Sequence, residues 1–269
     1  MITSTSNPFI KQIRKLRDRK EREQSNLFYI EGLRIIGEAV ELEVELDTFI
    51  VAPDLVKGEF STHLVENQLS KGTSIIEVSP QVYEYISMRE GAKGLSALVR
   101  QQWDRLDNIN LQPGDLWVAL DGVQDPGNLG TILRTLDCAG GKGVILLDHS
   151  TDPYDPTAVR ASMGSIFSQR VIKSSLDEFT RWKNFVGFPV IGTSGIADED
   201  YHSFHFPPAL VLLMGSERQG LQNEHLNICD QVVSIPMAGR SDSLNLAVST
   251  AIVIYEIINQ RRDALMSRP

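Results

Sequence analysis

Hydrophobic positions along the chain fall into short solid runs separated by amphipathic stretches, the pattern of buried strands alternating with helices. In the first hundred residues the runs at 27–31, 46–51, 74–78 and 95–100 read as strands, and the stretches near 33–44, 59–69 and 80–87 read as helices. One more helix is predicted ahead of them. Asn7 before Pro8 supplies an N-cap and a proline at the first helical position, and Ile10, Ile13 and Leu16 give that helix, expected to run to about Glu23, one apolar stripe. These elements predict a small α/β module.

Residues 101–114 lack periodicity and end in Pro113-Gly114, which marks residues 106–114 as a linker between domains at 1–105 and 115–269. Beyond it, strands near 116–120, 143–147, 190–193, 209–214 and 231–235 alternate with helical stretches, predicting a mainly parallel sheet with helices on both faces. The last stretch is expected to enter a helix near Ser243 and stay apolar to Ile258, yet Asn245, Ser249, Thr250 and Glu256 interrupt it and it is too short to span a bilayer. Its Leu246, Val248, Ile252, Val253, Tyr255 and Ile257 cover more of the circumference than one core-facing stripe requires. A second subunit is expected on the surplus face, so a homodimer is predicted; burial within one subunit would give the same pattern.

A length of 269 residues suits one large or two modest domains, and a net charge of −9 is unusual for a protein that binds a polyanion. The distribution changes that picture, because residues 1–34 carry eight Lys/Arg against four Asp/Glu whereas residues 106–269 carry twelve against nineteen. Lys11, Arg14, Lys15, Arg17, Arg19, Lys20 and Arg22 surround the apolar stripe of the first helix and are expected to contact RNA. Cys138 and Cys229 are too few and too isolated for a disulfide framework or a zinc site and are expected to be reduced core thiols. No metal site is predicted. His149, His202, His205 and His225 fall in no metal-like or triad-like spacing and read as incidental, and the 198–201 segment reads as a solvated connection. The N-terminus is polar and then basic with no apolar h-region, so a cytoplasmic protein without membrane association is expected.

Three strand ends carry the candidate chemistry. Leu116–Asp121 runs into Asp125-Pro126-Gly127-Asn128-Leu129-Gly130 and a helix holding Arg134, and Ala209–Met214 opens into Gly215-Ser216-Glu217 with Gly220-Leu221. Gln231–Ile235 continues through Pro236-Met237 to Ser243-Leu244-Asn245. In an open α/β sheet, ligands collect at the carboxyl ends of strands. The glycines at 127 and 130 lack the G-x-G-x-x-G spacing, which argues against a dinucleotide fingerprint, and they are expected to leave Asn128 and Arg134 facing a shared pocket.

Taken together, Asn128-x-Gly130-x-x-x-Arg134, Gly215-Ser216-Glu217 and Ile235-Pro236-Met237 with Ser243-Leu244-Asn245 resemble, in order and spacing, the three motifs of the SpoU (TrmH) family of RNA ribose 2′-O-methyltransferases in the SPOUT superfamily. The N-terminal part, through Ser6-Asn7-Pro8, the basic helix and Phe28-Tyr29-Ile30-Glu31-Gly32, resembles the ribosomal-protein-like substrate-binding module of rRNA-directed members. The resemblance implies a parallel sheet whose C-terminal segment is tucked into a trefoil knot, an active site near a two-fold interface, and S-adenosylmethionine as cofactor. The substrate it implies is ribosomal RNA, with transfer RNA as the alternative; a non-catalytic RNA-binding or assembly factor on the same fold is the reading from another class.

The resemblance assigns Arg134 as the key catalytic residue and Asn128 as its positioning neighbour, with Ser243, Asn245 and Glu217 beside them. Gly215, Ile235 and Leu244 match cofactor-contact positions, and Met214 and Met237 join that set; for Ile235 and Leu244, core burial explains the sequence equally well. A guanidinium is almost never deprotonated, so Arg134 is expected to hold a target phosphate and stabilise a developing alkoxide, the proton leaving through Asn128, Ser243 or water. Glu217 is expected on the substrate side or as an acceptor that orders its loop.

Overall fold

In the computed structural model, which describes residues 1–88, 91 and 93–266 and no side chains at 264 and 265, Asn7 caps the first helix by accepting from Phe9 N–H at 2.9 Å. That helix, α1 (Pro8–Lys15), buries Ile10 and Ile13 and is followed by a separate α2 (Arg19–Ser25). The single helix to Glu23 is therefore corrected: Asp18 accepts from Lys20 N–H at 2.9 Å and starts a new helix. Arg22, expected on the basic face, is 1 % exposed. Its guanidinium donates to the carbonyls of Leu16 and Arg17 at 2.8 and 2.9 Å, oxygens that the end of α1 leaves free, and it pairs with Asp155 at 3.5 Å.

The chain continues through β1 (Leu27–Glu31), α3 (Leu33–Glu41), β2 (Leu46–Val51), α4 (Glu59–Ser70), β3 (Ile75–Glu77), α5 (Pro80–Ile86) and β4 (Leu95–Arg100). The sheet order is β1-β4-β2-β3, with β4 antiparallel to both neighbours and β2 parallel to β3. Met1–Gln102 form one unit together with Tyr154–Ser168. The latter segment joins it through aromatic packing, with the Phe28 ring 4.7 Å from Tyr154 and 6.3 Å from Phe167.

The second unit comprises Trp103–Pro153 and the chain from Gln169 onward. Residues 106–114 are packed onto it, with Ile109 and Leu111 buried in its core. In chain order come β5 (Leu116–Asp121), α6 (Pro126–Cys138), β6 (Gly143–Leu147), α7 (Pro156–Ser162, part of the first unit), β7 (Arg170–Ser174), α8 (Leu176–Val186), β8 (Val190–Thr193) and β9 (Glu199–Asp200). Then follow β10 (Leu210–Met214), α9 (Asn223–Ile228), β11 (Gln231–Ser234) and α10 (Leu246–Met266). Every strand pair is parallel, in the order β7-β6-β5-β10-β8-β11-β9. Two strands differ from the sequence reading: β7 was not anticipated, and Glu199 and Asp200 pair with β11 where a solvated connection was expected.

Trp117, Ala119, Ile145, Leu147, Ile172, Val211 and Leu213 form one buried face of this sheet under Phe179 and Trp182 of α8. α6 and α10 pack against each other, and α6 lies against β6. The last helix begins at Leu246, not near Ser243, because Asn245 is its cap: the Asn245 side-chain oxygen accepts from the N–H groups of Ala247 and Val248 at 2.9 and 3.3 Å. Among the described residues no helix is long and apolar enough to cross a membrane.

Candidate active site at the carboxyl ends of the strands

From β5 the chain builds outward through β6 to β7, and the remaining strands lie on the other side of β5, beginning with β10. The β5–β10 junction is thus the point where strand order reverses, the place where open parallel sheets bind ligands. Asn128 stands in the first turn of α6 after β5, Glu217 lies in the loop after β10, and Asn245 ends the loop after β11. The structure joins all three. Asn245 Nδ2 donates to Asn128 Oδ1 at 3.0 Å, and Asn128 Nδ2 donates to Glu217 Oε1 at 3.2 Å.

The direction of this chain of bonds is forced by its ends. Asn245 Oδ1 is committed to backbone donors of α10, so the Asn245 NH₂ must face Asn128; an ionised Glu217 only accepts, so the Asn128 NH₂ must face it. Glu217 Oε2 accepts from Gln124 N–H at 3.1 Å, and Oε1 accepts a longer bond from Asp125 N–H at 3.4 Å. Burial pushes the Glu217 carboxyl upward, but the N–H groups of Glu217 itself and Gln124, the Asn128 amide and the Asp125 N–H outweigh it and hold the group below its usual value. Glu217 thus accepts from the Gln124 and Asp125 N–H groups and the Asn128 amide and ties the loop after β10 to the one after β5.

Gly215 explains the tightness of that loop. Ser216 pairs with Gly220 across the turn, Gly220 N–H donating to Ser216 O at 3.0 Å, and a Cβ on Gly215 would overlap the backbone of Gly220 and Leu221. After β11, Ile235 and Met237 are partly exposed and Leu244 is 40 % exposed, so apolar surface is available in that segment. Met214, by contrast, is 2 % exposed, its sulfur accepting from Thr193 Oγ1 at 3.3 Å. A glycine turn with no room for a side chain and partly exposed aliphatic groups in the segment after β11 are of the chemical kind that S-adenosylmethionine requires, backbone approach for its polar edges and apolar surface for its adenine.

Two proposed site residues stand apart from the hydrogen-bonded chain. Ser243 Oγ donates to Asp242 at 3.1 Å, and Arg134 is exposed with no ion pair among the described residues. Arg134 lies six residues beyond Asn128 on α6, which places it about 120° away around the helix. No hydrogen bond joins the two among the described residues.

Several groups here were not foreseen. Gln124 Nε2 donates to the carbonyls of Gly122 and His149 at 3.0 and 3.2 Å, fastening the β5 and β6 loops. His225, read as incidental, is buried: its Nδ1 accepts from Gln222 N–H at 3.1 Å, which leaves Nε2, 3.3 Å from Asp121, as the N–H donor of a neutral ring. Burial raises the Asp121 carboxyl while His225 opposes the shift. The Cys138 thiol is exposed, contrary to expectation, and burial pushes the half-buried Cys229 thiol up to about 12. No group of His, Cys, Asp and Glu suited to a metal ion occurs among the described residues.

A parallel α/β domain with polar side chains gathered from three strand ends at its switch point has the architecture of a ligand-binding α/β enzyme domain. Residues 115–255 match the model of the SpoU rRNA Methylase family, and residues 7–97 match an MRM3-like substrate binding domain. The chain belongs to the SpoU rRNA Methylase family. It is 33 % identical over 267 residues to the 23S rRNA (uridine(2479)-2′-O)-methyltransferase of Streptomyces viridochromogenes, covering 97 % of this chain and 92 % of that protein. It is 29 % identical to the Bacillus subtilis 23S rRNA (guanosine(2553)-2′-O)-methyltransferase RlmP, over 95 % of this chain and 98 % of that protein. The crystal structure of an AdoMet-bound rRNA methyltransferase from Sinorhizobium meliloti superposes with a TM-score of 0.87 at 35 % identity, covering 97 % of both chains.

Proposed function

We propose that this protein transfers a methyl group from S-adenosylmethionine to a ribose 2′-hydroxyl of ribosomal RNA in the cytoplasm. The observation that carries this reading is the Asn245–Asn128–Glu217 chain, which fixes all three motif segments against one another. The bound cofactor supplies an electrophilic methyl group on a sulfonium. Gly215, Ile235, Met237 and Leu244 would hold it, with Met214 next to Gly215 in the chain. Asn128 retains an unshared lone pair and one N–H and is suited to orient the ribose. Ser243 is the hydroxyl with an acceptor behind it: as it takes the 2′-hydroxyl proton, its own passes to Asp242.

Arg134 holds the target phosphate and stabilises the developing alkoxide. Since it lies about 120° around α6 from its own Asn128, a second copy of the chain is proposed to bring it to the site. The surface for that dimer is the exposed side of α10, where Val248 and Tyr255 are 47 % and 46 % exposed and Ile252 lies between them at helical spacing. Threading of the segment from β11 to α10 as a trefoil knot belongs to the same reading. The first unit contributes RNA contacts through Lys11, Lys15 and Lys20, which make no ion pair among the described residues. Incubating the protein with methyl-labelled cofactor and unmodified 23S rRNA, then digesting to nucleosides, tests the proposal: label is expected in one 2′-O-methylnucleoside, and label on a base would overturn it.

A further inference from the structure

The Phe28–Gly32 segment is not used by the site described above, yet it frames a separate cavity in the first unit. The cavity has a volume of about 140 Å³ and is lined by Tyr29, Glu31, Ile35, Met88, Pro156 and Arg160, among others. A space of this size accepts one six-membered ring, roughly 150 Å³ being enough for benzene. We propose that it is a binding site for a single unpaired cytosine of RNA, Glu31 accepting from the base amino group and Arg160 holding the attached phosphate. The proposal rests on RNA being the substrate and adds where one of its bases is read.

Glu31 is built for such a task. Ser87 Oγ donates to Glu31 Oε1 at 3.0 Å and Met88 N–H donates to Oε2 at 2.9 Å, while Arg17 donates to Ser87 O at 3.1 Å from its other side. The carboxylate is thereby fixed in place, and each oxygen keeps a lone pair for a further donor. Beside it the Tyr29 hydroxyl is buried, lies near Ser96 and Glu31, and makes no hydrogen bond of good geometry to either. Burial first, then the nearby Tyr83 and Glu31, keep that phenol neutral beside the fixed carboxylate. Met88, Ile35 and Pro156 supply the apolar walls a ring requires, and exposed Arg160 forms no ion pair among the described residues.

The edge chemistry selects the base. A carboxylate accepts from the cytosine amino group, whereas uracil presents a carbonyl oxygen at the same position and is repelled. Fluorescence anisotropy with the full-length protein at one salt concentration tests this, using labelled oligocytidylate, labelled oligouridylate and unlabelled CMP as competitor. Oligocytidylate is expected to bind about five-fold or more tightly than oligouridylate. Glu31→Gln should erase that preference, and Arg160→Ala should weaken both oligomers alike. Equal affinity of the wild type for the two oligomers would overturn the proposal, as would an Arg160→Ala variant that binds like wild type, a reading that does not depend on whether Glu31→Gln folds. CMP competing as well as oligocytidylate would show a free-nucleotide site and also overturn it. Cofactor titration and methyl transfer to rRNA, measured on the same wild-type preparation, report separately on the proposed function.

Discussion

Every proton in the Asn245–Asn128–Glu217 chain is assigned by its two ends, so each member has a distinct consequence when removed. Asn245→Ala deletes the α10 cap, costing about 1 kcal/mol of stability, and also frees Asn128 to rotate. Its thermal midpoint should fall slightly while turnover falls much further, which a melt and a rate assay on the same preparation would separate. Glu217 is held below its ordinary carboxylate value, so its contribution is complete above the usual carboxylate range and is lost as pH falls through the lowered value. Glu217→Gln should therefore flatten the acid limb of stability against pH, and a variant that keeps the wild-type acid profile would contradict the assignment. Arg134→Ala should abolish transfer and leave cofactor binding near normal by calorimetry, because its contacts are to the ribose-phosphate. Asn128, Glu217 and Asn245 were legible as motif members, but Gln124 and the Asp121–His225 pair were not. The Gln124 partner Glu217 is 93 residues away, and no local pattern announces a bond of that range.

The elements that sequence periodicity recovered best are those with solid apolar runs, such as β5 and β10. β7 reads Arg-Val-Ile-Lys-Ser, with only two strongly apolar residues between charged ones, and β9 has two residues in all, so neither carried a period. The helix break at 16–18 was hidden by continuous basic and apolar residues on both sides, and Asp18 was its only signal. Arg22 shows why the break matters, since a buried guanidinium satisfies carbonyls that an unbroken helix would have used. Arg22→Ala should destabilise the first unit by roughly 2–4 kcal/mol through unsatisfied carbonyls and the unpaired Asp155, measurable by denaturant titration. On α10 the surplus apolar face is present, but Val253 is fully buried and belongs to the core. Val253→Asp would therefore unfold the domain, and Tyr255→Asp is the informative change. Light scattering over a dilution series should show a wild-type dimer and a weakened Tyr255→Asp dimer, whereas a wild-type monomer at micromolar concentration would leave α10 without its partner.

The division of the chain is not purely sequential, because Tyr154–Ser168 belongs with the N-terminal residues. A fragment beginning at residue 106 is thus expected to keep its seven-stranded sheet but expose Tyr154 and Phe167, which have lost Phe28, and to aggregate more readily than the full chain. The acidic net charge and the basic N-terminus together predict RNA binding through few phosphates. Replacing Lys11, Lys15 and Lys20 by Ala should reduce the salt slope of RNA affinity by about 2–3.

The most direct measurement maps ribose methylation across 23S rRNA from cells lacking this gene, complemented with the wild-type chain or with Arg134→Ala. One 2′-O-methyl group should vanish on deletion, return with the wild type and stay absent with the variant. An unchanged map, or full restoration by Arg134→Ala, would contradict the account.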